Sequence, residues 1–564
     1  MSQAVSSLAE SLGQLTAPGA PFEVNTDSTG VLYYSSAPKT LIEALEGSRA
    51  FADQEFLVYE GERWSFNDMF VKADQIAALL VQRGVGKGDR VALAMRNYPE
   101  WMAIFIATTS IGAVIVPLNS WGQANDLTFA ITDAGARMVF CDQQRFTALA
   151  DTLAAADIDA VLVRPTEQGH KQDLDTLLAS GRTIPLPTAK MEGNDLVMIM
   201  YTSGTTGKPK GAASTHAALC QAMYNFECNA MASAMCNPDA IGAMLERGYA
   251  PTALLAVPLF HVSGCHAQFL AALRGGRRIV MMYKWDVDKA LDYIEQEHIT
   301  SVAAAPSMIL DLLESPHYET TDTSSLFSFG TGGAATPPKA IELMNARLPG
   351  HFSGTGWGMT ETNAQGASLT GERFVQNPGS AGPPHPIVAL DIRNDAGQSL
   401  TSGDPGEIWI RSSCNIRQYW NRPDANATDF SAGWFKTGDI GYLDADGYLY
   451  LSDRAKDMVI RGGENIYPVE IENALLDMPA IAEVAAIGLP HERLGEELAV
   501  VVRVRDGYHL SAEQLIEFAT DKLARYKVPT RIFFTEEPLP RNATSKVLKP
   551  QVKATLLEDG YTAA

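Results

Sequence analysis

The sequence predicts an α/β protein: a large N-terminal unit of doubly wound sheets plus a small β-barrel, followed by a small mobile α+β unit. Three observations predict it. From about residue 90 to 305, short buried apolar runs alternate with helix-patterned stretches, as in parallel sheets covered by helices. From Asn377 the character changes to short β-like runs, such as Glu407–Arg411 and Tyr448–Ser452, separated by turn residues. Past Ser452, helix and strand patterns recur over about a hundred residues, the usual size of a small domain. A chain of 564 residues exceeds one core, and the division is drawn at 1–453 and 454–564.

In chain order, Met1–Gly30 is polar and rich in small residues, without a basic region leading into an apolar run. It reads as a loosely held arm and not as a secretory signal. Glu55–Tyr59 and Arg63–Ser65 flank Glu60-Gly61-Glu62 as a hairpin. Ser65 and Asp68 form a capping-box pattern ahead of a helix whose apolar stripe runs from Met69 to Leu80, with Gly84 as its stop. The apolar run Trp101–Leu118 is long enough to raise the membrane question. Thr108, Thr109, Ser110 and Gly112 interrupt it, so a buried helix feeding a buried strand is expected. Ala136–Phe140, Ala160–Val163, Leu196–Met200, Leu254–Val257, Arg278–Met282 and Ser301–Ala305 read as further strands. Ser214-Thr215-His216 opens a long helical region to Arg247, with His216 in a capping role, and Ser307 is read as the cap of a later helix.

Composition excludes several functions. A net charge of −22 argues against nucleic acid or an anionic membrane as a bulk partner. The six cysteines form no C-x-x-C pair and the ten histidines show no ligand spacing. Scattered thiols of this kind suggest a reducing compartment; a cytoplasmic location is expected, with no transmembrane segment and a homodimer as a possible state.

The chemistry centres on Tyr201-Thr-Ser-Gly-Thr-Thr-Gly-Lys-Pro-Lys-Gly211, which follows the strand at Leu196. Three glycines, four Ser/Thr hydroxyls and two lysines fall within eleven positions. The backbone N–H groups of such a loop can form an anion nest, with Thr202, Ser203, Gly204, Thr205, Thr206, Gly207, Lys208 and Lys210 around a polyphosphate. Only two residues separate Gly204 from Gly207, so it is not a Walker A loop. The bland alternative is a flexible surface loop. Two further glycine-rich turns, Phe329–Thr336 and His351–Glu361, lack the G-x-G-x-x-G spacing of a dinucleotide fold. Trp357 lies between Gly356 and Gly358, which leaves its indole face open to a flat base; core packing is the alternative. Asp439 follows a glycine in a turn and could accept from ribose hydroxyls, or simply close an Asx-turn.

These motifs, in this order, resemble the adenylate-forming superfamily: acyl-CoA synthetases, adenylation domains of peptide synthetases, and luciferases. The resemblance runs from Ser65 to Pro550. It implies activation of a carboxylic acid by Mg-ATP to an acyl-adenylate and pyrophosphate, then displacement of AMP by a thiol. By position it implies that Thr202–Lys210 handles the β- and γ-phosphates, and that Gly332, Gly333, Ala334 and Ala335 form the adenine-side turn with Trp357 stacking. Thr360 is similar to the α-phosphate donor and Glu361 to the magnesium ligand. Asp439 and Arg454 resemble the ribose contacts, and Lys456 takes the hinge position. Lys546, in Pro540-Arg-Asn-Ala-Thr-Ser-Lys-Val-Leu-Lys549, is similar to the lysine that bridges acid and α-phosphate.

Two departures stand out. Trp357 replaces the usual tyrosine. Ser545 replaces the glycine usual before the lysine; if that position needs φ > 0, serine costs on the order of 1–2 kcal/mol. Between Pro251 and Gly276 there is no Asp or Glu, and His261 stands where amino-acid-activating relatives carry an aspartate. An unpaired buried ammonium costs roughly several kcal/mol, so a plain carboxylic acid is expected. His261 is counted as a catalytic candidate and, with Val262, Gly264, Gly330, Thr331 and Gly356, as pocket lining. Arg461-Gly-Gly-Glu-Asn-Ile-Tyr-Pro468 resembles the CoA-ligase form of its segment, with Gly462 and Gly463 beside the pantetheine arm. ATP, Mg²⁺ and CoA are thus the expected cofactor and co-substrates. Transfer to a separate carrier protein, adenylate release, or an inactive nucleotide-binding protein remain alternatives.

Overall fold

The computed structural model describes residues 7–166, 170–180, 190–202, 209–334, 336–348, 352–454, 456–461, 464–558 and 560–563. The expectations for Ser203, Gly204, Thr205, Thr206, Gly207, Lys208, Ala335, Gly462 and Gly463 lie outside the described residues.

Two large sheets carry the N-terminal unit. One has seven strands in the order Gln418–Trp420, Lys210–Thr215, Leu196–Thr202, Val114–Pro117, Arg90–Ala94, Met138–Asp142, Asp159–Val163. Its last five strands are parallel, and Lys210–Thr215 and Gln418–Trp420 add antiparallel. The other has eight, in the order Gly366–Thr370, Gly354–Gly358, Ser328–Gly332, Ser301–Ala304, Thr252–Leu255, Arg278–Met281, Glu55–Tyr59, Glu62–Ser65. It is parallel at its centre and antiparallel at both edges. Helices Phe66–Gln82 and Pro99–Ser110 bury their apolar residues between the sheets, in one core with Phe56, Val91, Ile115 and Ile279. The apolar run at Trp101 is therefore a core helix feeding a core strand. Among the described residues no helix is long and apolar enough to cross a membrane.

Asn97 stitches the two sheets together. Its Nδ2 donates to the carbonyls of Val257 (3.1 Å) and Met282 (3.2 Å), and its Oδ1 accepts from the Leu259 N–H at 2.9 Å. The turn carrying His261 is thereby pinned to the strand end at Ala94.

The segments expected to form a barrel make an antiparallel sheet of six strands whose path, Ser380–Gly382, Leu449–Arg454, Trp434–Leu443, Gly406–Ser412, Val388–Arg393, has two ends, with Phe430–Ser431 pairing beside it. Arg454 is in register with Asp439, so this sheet ends one residue past the boundary drawn from sequence. The C-terminal sheet starts at Val459–Arg461 and is covered by helices Pro468–Leu476, Ala512–Lys522 and Lys549–Leu557.

Three local expectations change. The N-terminal arm is ordered: Ser7 and Glu10 cap a helix, Leu8–Thr16, and Val24–Thr26 pairs with Leu32–Tyr34. Thr215, not His216, caps the helix His216–Cys236; His216 Nδ1 instead accepts from the Leu41 N–H at 3.2 Å. Ser307 is not a cap either. Ala305 and Pro306 open that helix, and the Ser307 hydroxyl points to the Ser545 carbonyl at 3.5 Å.

Candidate active site

The hairpin carrying Lys546 is built by one asparagine. Asn542 Oδ1 accepts from the N–H groups of Thr544 (3.0 Å) and Lys546 (2.9 Å) and from the Thr544 hydroxyl (2.9 Å). Closing the turn this way puts Ser545 at φ +60°, the left-handed region that glycine occupies at no steric cost. The Ser545 carbonyl is held by Arg541 Nη1 at 2.7 Å. Together with Ser307 this seats the hairpin on the large unit. Burial, and then the Arg454 guanidinium, pull the Lys546 ammonium down to about 8; Asp439 and Asp457 oppose the shift.

Around Lys546 stands the other end of the large unit. Asp439 is buried; its Oδ1 meets Arg454 Nε at 3.2 Å, and its Oδ2 accepts from Trp357 Nε1 at 2.9 Å. The open indole face expected at Trp357 is corrected here. The residue is 7% exposed and packs with Ala367, Ile408, Phe435 and Leu449. Its flanking glycines do not free the ring: Gly358 is needed because a Cβ there would lie 2.5 Å from the Ala364 backbone.

Glu361 lies in the short turn Thr360–Thr362, beside a half-buried Thr360. Burial raises its carboxyl above the ordinary range, and the Tyr419 hydroxyl, donating to Oε1 at 2.9 Å, works against that rise. Tyr419 is a site residue that sequence reading missed. Its only local signal is an aromatic within Gln418-Tyr-Trp420, and its partner is 58 residues away. Lys210 sits 4.6 Å above the Tyr419 ring and pairs with Asp429 at 2.9 Å. Its ammonium is thus paired with a carboxylate in this structure. Thr202 ends its strand half-buried, and Lys456 is exposed in the connection after Arg454.

The pocket expectations divide by sheet face. Side chains alternate along a strand, and Gly330 and Gly332 pair with Gly354 and Gly356. Ala303 lies beside Gly330, and Ser368 beside Gly356. Ala303, Gly330, Gly332, Gly356 and Ser368 thus form one nearly bare strip across four strands, with Ala303 exposed and the others half-buried. A Cβ on Gly332 or Gly356 would meet nothing nearer than 3.6 Å. The chain's own packing does not demand glycine at those two positions. Thr331 faces the other way: its hydroxyl meets Thr336 Oγ1 at 2.7 Å and the Gly354 carbonyl at 3.2 Å. Gly264 also leaves the lining, since a Cβ there would lie 2.3 Å from the Pro258 carbonyl oxygen. His261 caps the short helix Val262–Gly264, and burial pulls its imidazole down to about 4, so it is neutral at pH 7. Gly333, at φ +78°, and Ala334 form an exposed turn at the strip's edge.

Behind the strip runs a buried polar chain. Tyr34 OH donates to Asn225 Oδ1 at 2.7 Å, and Asn225 Nδ2 reaches Gln365 Oε1 at 2.6 Å and His385 Nδ1 at 2.8 Å. Because His385 Nδ1 accepts, Nε2 carries the proton and donates to Ser368 Oγ at 2.9 Å. No cluster of three metal-ligating side chains occurs among the described residues.

A half-buried lysine beside an aspartate–arginine pair, the buried Glu361 carboxylate and a bare sheet face agree with what the chain matches. Residues 46–420 match the AMP-binding enzyme family, and residues 470–546 match the AMP-binding enzyme C-terminal domain. The chain belongs to the AMP-binding enzyme family. It is 34% identical over 506 residues to the long-chain-fatty-acid–CoA ligase FadD13 of Mycobacterium tuberculosis, covering 89% of this chain and 94% of that protein. It is 35% identical over 484 residues to the indoleacetate–CoA ligase of Aromatoleum aromaticum, covering 85% and 91%. The fold matches o-succinylbenzoate CoA synthetase from Bacillus subtilis in complex with its acyl-adenylate intermediate (TM-score 0.74, 29% identity, 90% of this chain and 97% of that one). This member of the adenylate-forming superfamily is an AMP-forming acid–CoA ligase. Its family works by two steps, adenylation and then thioester formation with CoA.

Proposed function

We propose that this enzyme joins a plain carboxylic acid with an extended or flat apolar body to CoA, with Mg-ATP as the activating substrate. The observation that carries the substrate class is the bare strip Ala303–Gly330–Gly332–Gly356–Ser368. It offers backbone and small side chains where a hydrocarbon or ring can lie. The neutral His261 at its approach supplies no negative charge for an α-ammonium.

In the first step a carboxylate oxygen of the acid attacks the α-phosphorus of ATP, and the bond to pyrophosphate breaks. Two anions meet, so positive charge at the reacting atoms lowers the barrier. Lys546, lodged between the acid and the α-phosphate, supplies it, and Thr360 donates to the α-phosphate. Asp439 and Arg454 hold the ribose. Glu361 offers one carboxylate, which fits magnesium, an ion that takes few protein ligands and completes its shell with phosphate oxygens and water. The ion would neutralise phosphate charge there. Thr202–Lys208 and Gly332–Ala335 cradle the phosphates and adenine in this reading.

In the second step the CoA thiol sulfur attacks the acyl carbonyl and AMP leaves. Lys546 must then withdraw, so residues 454–564 act as a unit that turns about the exposed Lys456. Gly462 and Gly463 line the path of the pantetheine arm.

A panel of alkanoic, arylalkanoic and amino acids, assayed for pyrophosphate release with and without CoA, tests the proposal. Activity with apolar acids and a CoA thioester product is expected. Exchange driven by a standard amino acid would overturn the substrate class, and adenylate accumulating in the presence of CoA would overturn the acceptor.

A further inference from the structure

The strip does not simply run off the edge of its sheet. Ser368 Cβ lies 3.8 Å from where a Gly356 Cβ would stand, and Ser368 also lines a cavity on the far side, with Thr370 on the same sheet face. The cavity is about 20 Å³, room for roughly one water. Ser233, from the helix His216–Cys236, forms one wall, and its hydroxyl oxygen accepts from Thr370 Oγ1 at 2.9 Å. Leu8 and Leu12, from the N-terminal helix Leu8–Thr16, also line it, together with Asn229, Asn237 and Arg373.

That helix is laid on the long helix by its apolar stripe, Leu8, Leu12 and Leu15, and by Ser11 Oγ, which sits 3.4 Å from Cys236 Sγ. It precedes residue 46, where the family match begins. Behind it, Tyr34 ties the same N-terminal segment to Asn225 and so to Gln365 and Ser368. A segment outside the matched region thus shares a cavity with Ser368, the last residue of the strip.

We propose that the helix Leu8–Thr16 is the end wall of the acid-binding groove, and that Leu8 and Leu12 set the length of acid the enzyme accepts. The inference rests on the strip being the acid site, as argued above. An acid whose tail passes Ser368 meets Leu12; a shorter one does not.

The test is the chain-length profile of acid-dependent pyrophosphate release, measured with straight-chain acids on the full chain and two variants. Leu8→Ala/Leu12→Ala opens the wall. One methylene in an apolar pocket is worth roughly 10–200-fold, so kcat/KM for acids longer than the unaltered enzyme's best is expected to rise at least about tenfold relative to that best acid. Leu12→Trp fills the cavity, and on the same scale is expected to lower kcat/KM for the longest accepted acid at least about tenfold, with the shortest changed less than about twofold. The KM for ATP should not move in either variant. Superimposable length profiles in all three proteins overturn the wall, and so does an equal loss for every acid, which is what a general stability defect gives. A lack of turnover with any carboxylic acid in the unaltered chain counts against the ligase reading and this inference together, whereas superimposed profiles count against the wall alone.

Discussion

Tyr419→Phe is the sharpest probe of the magnesium carboxylate. The substitution removes one hydroxyl and no carbon. That hydroxyl donates to Glu361 Oε1 at 2.9 Å, and both residues are buried, at 4% and 7% exposure, so water does not take its place. A hydrogen bond to a charged group is worth about 1.5–3 kcal/mol. Taking about 2 kcal/mol, and 1.36 kcal/mol per pH unit, the Glu361 carboxyl should rise by roughly 1.5 units. The direction is fixed: burial already raises this carboxyl, and Tyr419 is the largest influence holding it down. The ionised form is the one that binds a cation. On the acid side of that titration the free Mg²⁺ needed for half-maximal pyrophosphate exchange should therefore rise by up to about 30-fold, the same free energy expressed as a ratio. The acid limb of the pH profile should move up by a comparable 1–2 units. The Lys210–Asp429 pair and the contact of Lys210 with the ring do not involve the hydroxyl and should persist. An unchanged magnesium requirement together with an unchanged acid limb would refute Glu361 as the ion's carboxylate.

Further outcomes follow from the same geometry. Ser545→Gly relieves a left-handed serine at φ +60°; after allowing for the freer unfolded chain, a gain of about 0.5–1 kcal/mol is expected by denaturant melting, and Ser545→Val should instead lose stability and adenylation. Lys546 titrates near 8 when the site is closed, so kcat/KM for adenylation should fall as pH rises through about 8. Lys546→Arg, which stays charged, should be slower but lack that limb, and a wild-type profile flat to strongly alkaline pH would contradict the charge role. Trp357→Ala empties a core position and should lower stability by about 3–5 kcal/mol, far more than loss of base stacking, while Trp357→Phe should fold normally and chiefly weaken ATP binding through the lost N–H to Asp439. A thermal melt of the alanine variant at the wild-type temperature would restore the open-face reading of Trp357.

Much of the fold was legible because its signals are local. Apolar runs such as Leu196–Met200, the Ser65/Asp68 capping box and the Gly84 stop each depend on residues within a turn or a strand of one another, and all recur in the structure. The order of motifs was enough to recognise the superfamily, and Ser545 could be marked as a strained position before any coordinates, because a backbone angle belongs to the residue that adopts it. The N-terminal helix was misread although its Ser7/Glu10 capping box is local too. Its low apolar content hid how much of it is buried by a helix more than two hundred positions away.

What the tertiary structure alone decided is which side chains are free to act. Lys210 and Lys546 are both lysines in conspicuous turns. One is paired with Asp429, 219 residues away, and the other is half-buried and pulled down to about 8 by burial and the Arg454 guanidinium. Trp357 looks open between two glycines, yet Asp439 and the neighbouring sheet close over it. Gly264 and Gly356 are indistinguishable in sequence, but the first is required by the Pro258 carbonyl and the second leaves space. The sequence determined the backbone's course and the types of groups brought to the site. Charge state, burial and empty volume depend on partners distant in the chain, and only the fold brings those partners within a few ångströms.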